Sequence, residues 1–101
     1  MTDPTWYVYL LQCRSGRIYT GATGKLDKRV MAHRKGHGAL ATRIDIPVRL
    51  LAAKPFPSRR EAMSVEAQVK PVPPAMKLTL AKIWSQQHPI DEATQRLLSV
   101  D

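Results

Sequence analysis

The segment WYVYLLQCRSGRIYTG, Trp6 to Gly21, limits what this chain can fold into more than any other stretch. Trp6 to Leu11 is an unbroken run of aromatic, branched and leucine residues, which suits a strand largely buried in a sheet. Arg17 to Ala22 reads as its partner, with Arg14-Ser15-Gly16 between them. Loop length then decides the register, because side chains alternate faces and a slip of one residue reverses them. A two-residue loop at Ser15-Gly16 pairs Gln12 with Tyr19 and puts Tyr9 and Tyr19 on opposite faces. A three-residue loop is a type I turn closed by a residue in the left-handed region, where glycine costs least, and Gly16 stands at that place. This second register sets Cys13 against Arg17, Leu11 against Tyr19 and Tyr9 against Gly21. Both tyrosines then share one face as diagonal neighbours, with the bare Gly21 leaving space beside Tyr9.

Downstream, Leu26 and Val30 recur at helical spacing between Gly24 and Lys35, and Gly36 supplies a stop. Gly36 to Pro47 is basic, carries Gly36, Gly38 and Pro47, and reads as a loop. Val48 to Ala53 reads as a third strand, ended by Pro55 and Pro57 because proline gives up a ladder donor. Ser58-Arg59-Arg60-Glu61 is a capping box that predicts a helix from Arg59 to about Val69. After Pro71 and Pro73, Pro74 opens another helix, with an expected apolar stripe of Met76, Leu80, Ile83, Trp84 and Gln87. A short helix is expected over Asp91 to Leu98. The order β-β-α-β-α-α predicts an α+β fold, a small three-stranded, mostly antiparallel sheet under helices. A chain of 101 residues holds a single core. The expected organisation is one domain over residues 1–88, its core at 6–70, and a tail at 89–101.

Two helices carry polar groups on the wrong side. On the first, Arg29 and His33 fall within roughly 60° of Leu26, so both lean toward the sheet. On the second, Ala62, Val65 and Val69 form an apolar stripe that Glu66 completes. A carboxylate there needs a cation, since leaving it buried and unpaired costs several kcal/mol or forces protonation. The partner is a divalent metal or an arginine such as Arg29, and a plain buried salt bridge is the alternative.

Charge indicates what such groups act on. Sixteen Lys and Arg against eight Asp and Glu leave a formal net charge of +8, a potential suited to a polyanion, of which nucleic acid is the commonest. Arg34, Lys35, His37, Arg43, Arg59 and Arg60 are candidates for nucleic-acid backbone contacts. One cysteine and three scattered histidines exclude a disulfide framework and leave no zinc-ligand spacing. No apolar run is long enough to cross a bilayer, and MTDPT lacks the basic and apolar regions of a signal peptide. A cytoplasmic, monomeric protein without membrane contact is expected. Tyr9, Tyr19, Arg29, His33 and Glu66 together suit hydrolysis of a phosphodiester bond. Glu66 would hold one metal ion, Arg29 would stabilise the transition state, and a tyrosine or His33 would take a proton from water.

These residues resemble the GIY-YIG nuclease family. Tyr7-Val8-Tyr9 stands where the family has its first tripeptide and Tyr19-Thr20-Gly21 where it has the second. Arg29 in LDKRVMAH matches the catalytic arginine, His33 follows four residues on, and Glu66 in SVEAQVK matches the metal-binding glutamate. The likeness runs from Trp6 to about Lys70, and GHGALATR and PSRREA bring it closest to the small stand-alone bacterial members. Tyr7, Val8 and Thr20 depart from the tripeptides at backbone or packing positions. Ala41 replaces an aromatic found in related small proteins, and Lys70-Pro71 interrupts a helix that would carry a second lysine. The resemblance implies a three-stranded antiparallel sheet flanked by helices, with one Mg2+ or Mn2+ at Glu66. It further implies an endonuclease acting on DNA, single-stranded or branched forms included, in a family that serves repair, restriction and homing. Tyr9 and Tyr19 would position the attacking water or act as its base, and Arg29 would contact the scissile phosphate. Two other readings stand beside it: a nucleic-acid-binding module with little activity alone, and a ribosome-associated structural protein.

Overall fold

The computed structural model describes residues 5–98; residues 1–4 of the expected domain and 99–101 of the expected tail lie outside the described residues. Gly16 adopts a φ of 95°, its amide donates to the Cys13 carbonyl at 2.9 Å, and the Cys13 amide donates to the Arg17 carbonyl at 2.8 Å. The turn is therefore the three-residue form. It joins β1 (Trp6–Cys13) to β2 (Ile18–Thr23) antiparallel, with Tyr9 opposite Gly21 and Leu11 opposite Tyr19. The Ser15 amide and hydroxyl both donate to the Asp45 carboxylate, and the Arg14 amide donates to the Ile46 carbonyl at 2.8 Å, which braces the turn.

The third strand, β3 (Pro47–Phe56), pairs antiparallel with the other side of β1, giving the order β2-β1-β3. It runs past the expected end at Ala53, with Pro55 opposite Tyr7 inside the ladder. An edge strand needs donors on one side only, so its proline can point the missing N–H away from the ladder.

The described residues form five helices: α1 (Leu26–Arg34), α2 (Leu40–Ile44), α3 (Arg59–Val69), α4 (Pro74–Gln87) and α5 (Glu92–Arg96), of which α1, α3 and α4 pack on the sheet. The alternation of β1 splits the core into two layers. Val8 and Leu10, with Ile18 and Ala52, meet Ala62 and Val69 of α3 and Ala81 and Trp84 of α4. Tyr9 and Leu11, with Leu50 and Ala53, meet Val30 of α1 and Leu98. α3 starts as its capping box requires, with the Ser58 hydroxyl accepting from the Glu61 amide at 3.2 Å.

Two further expectations are corrected by packing. The stretch read as a loop from Gly36 to Pro47 contains α2, a five-residue helix whose Leu40 and Ile44 are exposed and whose Thr42 is buried. With no apolar stripe facing the core, it gave hydropathy nothing to detect. The buried face of α4 consists of Lys77, Ala81 and Trp84, with Leu80 partly covered, whereas Met76 and Ile83 are exposed. Lys77 can lie inward because its ammonium donates to the Ile18 carbonyl at 3.3 Å, and burial pushes its pKa down. Beyond Pro89 the chain packs back: Asp91 caps α5 by accepting from the Thr94 amide at 2.7 Å, and the Thr94 hydroxyl donates to Asp27 of α1 at 2.9 Å. No helix of the described residues is long and apolar enough to cross a membrane.

Candidate active site

The register of the hairpin places Tyr9 across Gly21 of the edge strand β2, and a Cβ at position 21 would collide with the tyrosine ring. The space left by this glycine is filled by Tyr9 itself. His33, one helical turn after Arg29 on α1, is 1 % exposed and packs so closely on Gly38 that a Cβ there would strike the imidazole. The rings of Tyr9, Tyr19 and His33 form a mutual cluster. Tyr9 lies 6.3 Å from Tyr19 and 5.7 Å from His33, and Tyr19 lies 5.3 Å from His33, centroid to centroid.

Hydrogen bonding fixes the direction of the protons that join Tyr9, His33 and Thr42. The Thr42 hydroxyl donates its single proton to the Ala39 carbonyl at 2.8 Å. The contact between His33 Nδ1 and Thr42 Oγ1, also 2.8 Å, must then be donated by the histidine. That leaves the lone pair on His33 Nε2, which accepts from the Tyr9 hydroxyl at 2.8 Å. The chain of donors runs from Tyr9 to His33, which donates its one ring N–H to Thr42, and ends on Ala39. This is the work of α2, which carries Thr42 to the back of the site.

The charges follow from burial. Burial, and then the charge of Arg29, push the His33 pKa down to about 4, so the imidazole is neutral at neutral pH. Burial also drives the Tyr9 pKa up, against the opposing hydrogen bond from Arg29, while the charges of Tyr19 and Glu66 add to the rise. Tyr9 is thus a fixed phenol whose proton points at His33 and whose oxygen faces Arg29. Arg29 is partly buried, and its pKa rises first through the hydrogen bond to Tyr9, with a further hydrogen bond to Tyr19. The arginine therefore remains a cation gripped by both tyrosines. Tyr9 is 1 % exposed, whereas Tyr19 is half-buried and open to the outside.

Since the folded protein keeps His33 neutral, stability must depend on pH. As pH falls from 6.5, the ordinary histidine value, toward 4, the unfolded chain binds a proton at this residue that the folded chain refuses, so stability is full above this window and lost within it. Denaturant unfolding at pH 7.5 and 4.5 should show wild type losing roughly 2–3 kcal/mol more than His33→Gln across that step. Equal losses in the two proteins would mean that His33 titrates normally.

Glu66 stands on the other layer, and its charge is felt at Tyr9. α3, which carries it, packs on the face that holds Val8 and Leu10, against β1 and β2. The Glu66 side chain is 14 % exposed, and its ion-pair partner is Lys70 on the next turn, at 3.8 Å with the lysine itself 57 % exposed. So long and open a contact leaves the carboxylate free to take another cation. Among the described residues no group of three or more His, Cys, Asp and Glu could hold a metal. A lone carboxylate fits an ion such as Mg2+ or Mn2+, which keeps several waters and takes its remaining oxygens from a phosphate.

Of the side chains expected to hold nucleic acid, Arg34 and Lys35 are exposed at the end of α1, His37 follows them, and Arg43 is exposed on α2. Arg59 and Arg60 are exposed at the start of α3, with the Arg59 guanidinium 5.6 Å from the centre of the Trp6 ring. The six are spread along two sides of the molecule. Beside Arg29 lies a cavity of about 530 Å³ walled by Trp6, Lys25, Lys28 and Ala32. Sequence reading missed Thr42 as the partner of His33, and Trp6, Lys25 and Lys28 as walls of this cavity. Thr42 was at hand within GHGALATR, but its hydrogen bond becomes visible only when α2 folds against α1.

Comparison with known proteins gives the family of this fold. Residues 5–77 match the family model of the GIY-YIG catalytic domain. A UPF0213 protein of Xanthomonas axonopodis pv. citri is 43% identical over 84 residues, covering 83% of this chain and 78% of that protein. A UPF0213 protein of Nitratidesulfovibrio vulgaris is 43% identical over 76 residues, covering 75% and 69% respectively. The solution NMR structure of the UPF0213 protein BH0048 from Bacillus halodurans superposes with a TM-score of 0.51 at 38% identity, covering 95% of this chain and 99% of that one. The tyrosine-bearing hairpin, the three-stranded sheet with its helices and these likenesses make the chain a member of the GIY-YIG family, alongside small bacterial UPF0213 proteins.

Proposed function

We propose that this protein is a divalent-metal-dependent endonuclease that hydrolyses phosphodiester bonds in DNA. The observation that supports it most is the convergence of Arg29 with Tyr9, Tyr19 and His33 at the β2 edge, with the Glu66 carboxylate near enough to raise the Tyr9 pKa. A binding module or a structural protein gains nothing from a carboxylate set against incoming phosphates.

In this reading the scissile phosphate lies against Arg29, whose charge stabilises the transition state as negative charge accumulates on the phosphoryl oxygens. Tyr9 does not meet water directly; it holds the guanidinium in place, and its own position is held by His33 and Thr42. Tyr19, the more open of the two phenols, positions the attacking water and, acting as a phenolate beside the Arg29 cation, takes its proton to become the neutral phenol. The new P–O bond forms as the bond to the leaving oxygen breaks, and that oxygen departs with the electron pair. Glu66 would hold one Mg2+ or Mn2+, which when bound supplies positive charge to a nonbridging oxygen and to the leaving group.

The test is incubation of the protein with end-labelled single-stranded, duplex and branched DNA in Mg2+, in Mn2+ and in chelator. Shortened products from at least one substrate are expected with metal and none in chelator. Binding of all three without cleavage of any would favour the binding module.

A further inference from the structure

Trp6 stands at the start of β1 on the same sheet face as Val8 and Leu10, the face covered by α3. It is half-buried, and it also walls the cavity whose opposite side is α1. Gly24 adjoins it so closely that a Cβ there would come within 3.0 Å of the indole, so a larger residue would crowd the ring. The Arg59 guanidinium, 5.6 Å from the ring centre, adds a cation to the aromatic surface. Lys25, Lys28 and Arg29 also line this cavity, which among the described residues has no carboxylate in its wall. An aromatic plane among four cations matches the chemistry of a nucleotide, base on the ring and phosphates on the ammonium and guanidinium groups.

We propose that Trp6 is a stacking platform for one unpaired DNA base, with Lys25 and Lys28 holding phosphates beside the one that Arg29 contacts. The proposal rests on the nuclease reading for what happens to that phosphate, but not for the binding itself. A base inside a duplex has both faces covered by its neighbours, so a half-buried indole in a concave wall can be covered only by a base that has left the stack. Arg59 and Glu66, seven residues apart on α3, share one helix face and stand roughly 10 Å apart along it. The stacked base would thus sit within about 10 Å of the scissile phosphate, and the subsite would select DNA that is already unpaired or easily opened.

The test is fluorescence anisotropy in chelator, with labelled single-stranded and duplex oligonucleotides. Stacking of one base is worth roughly 5- to 150-fold in affinity, so Trp6→Ala should weaken single-strand binding by about tenfold and leave duplex binding unchanged, while Trp6→Phe keeps most of the affinity. Lys28→Ala should weaken both and lower the slope of log affinity against log salt by about one. In wild type, moving an abasic site along the strand should reproduce the tenfold loss at one position. Single-stranded DNA should quench the tryptophan emission of wild type but not that of Trp6→Phe, a readout that stands even if Trp6→Ala is too unstable to compare. Equal losses on single strand and duplex, no loss, or unquenched wild-type emission would each overturn the subsite. Because no metal is present, Trp6-dependent binding by a chain that never cleaves would uphold the subsite and sink the nuclease reading; cleavage indifferent to Trp6 would do the reverse.

Discussion

Replacing Arg29 by alanine is expected to lower the turnover of DNA cleavage by on the order of a thousandfold, while affinity for DNA in chelator falls by about tenfold at most. The asymmetry follows from where the arginine sits. It is one positive charge among the sixteen Lys and Arg that draw a polyanion to the surface, so losing it removes one phosphate contact. It is also the cation held by Tyr9 and Tyr19, fixed before substrate arrives, and a fixed charge is worth most where new charge appears on the way to the transition state. Arg29→Lys should recover the charge but not the planar guanidinium, and its turnover should lie between wild type and the alanine variant. Single-turnover rates at saturating protein, set beside binding in chelator, separate the two terms. A loss confined to affinity would reduce Arg29 to an ordinary phosphate contact.

How much of this was legible in the chain depended on whether the signal was local. The facing of Tyr9 and Tyr19 was readable because one glycine, Gly16, decides between two turn lengths, and its φ of 95° is the conformation that decision required. Glu66 was readable because it interrupts an apolar stripe, and the half-burial of its side chain agrees. What sequence periodicity could not carry were features set by partners distant in the chain. Thr42 belongs to the site through its contact with His33, nine residues away, on a helix with no apolar face. Lys77 faces the core because the Ile18 carbonyl, fifty-nine residues distant, receives its ammonium, and the whole face of α4 turns accordingly. Pro55 continues β3 because that strand lies at an edge, which depends on the strand order and not on the local sequence.

Glu66 separates an enzyme from a binder most sharply. Exchanging its carboxylate for the amide of glutamine keeps the size and the helix, but removes the negative charge that would draw a cation to the β2 edge. DNA binding in chelator should be unchanged or slightly tighter, because one charge that repels phosphates is gone. Metal-dependent cleavage should fall by on the order of a thousandfold or more, since a neutral amide is a far weaker ligand for a hard cation than a carboxylate. The most direct measurement is the single-turnover cleavage rate of one labelled substrate as Mg2+ is raised from none to saturation, for wild type and Glu66→Gln side by side. The account predicts a rate that climbs and saturates for wild type and stays at background for the variant; matching metal curves for the two proteins would contradict it.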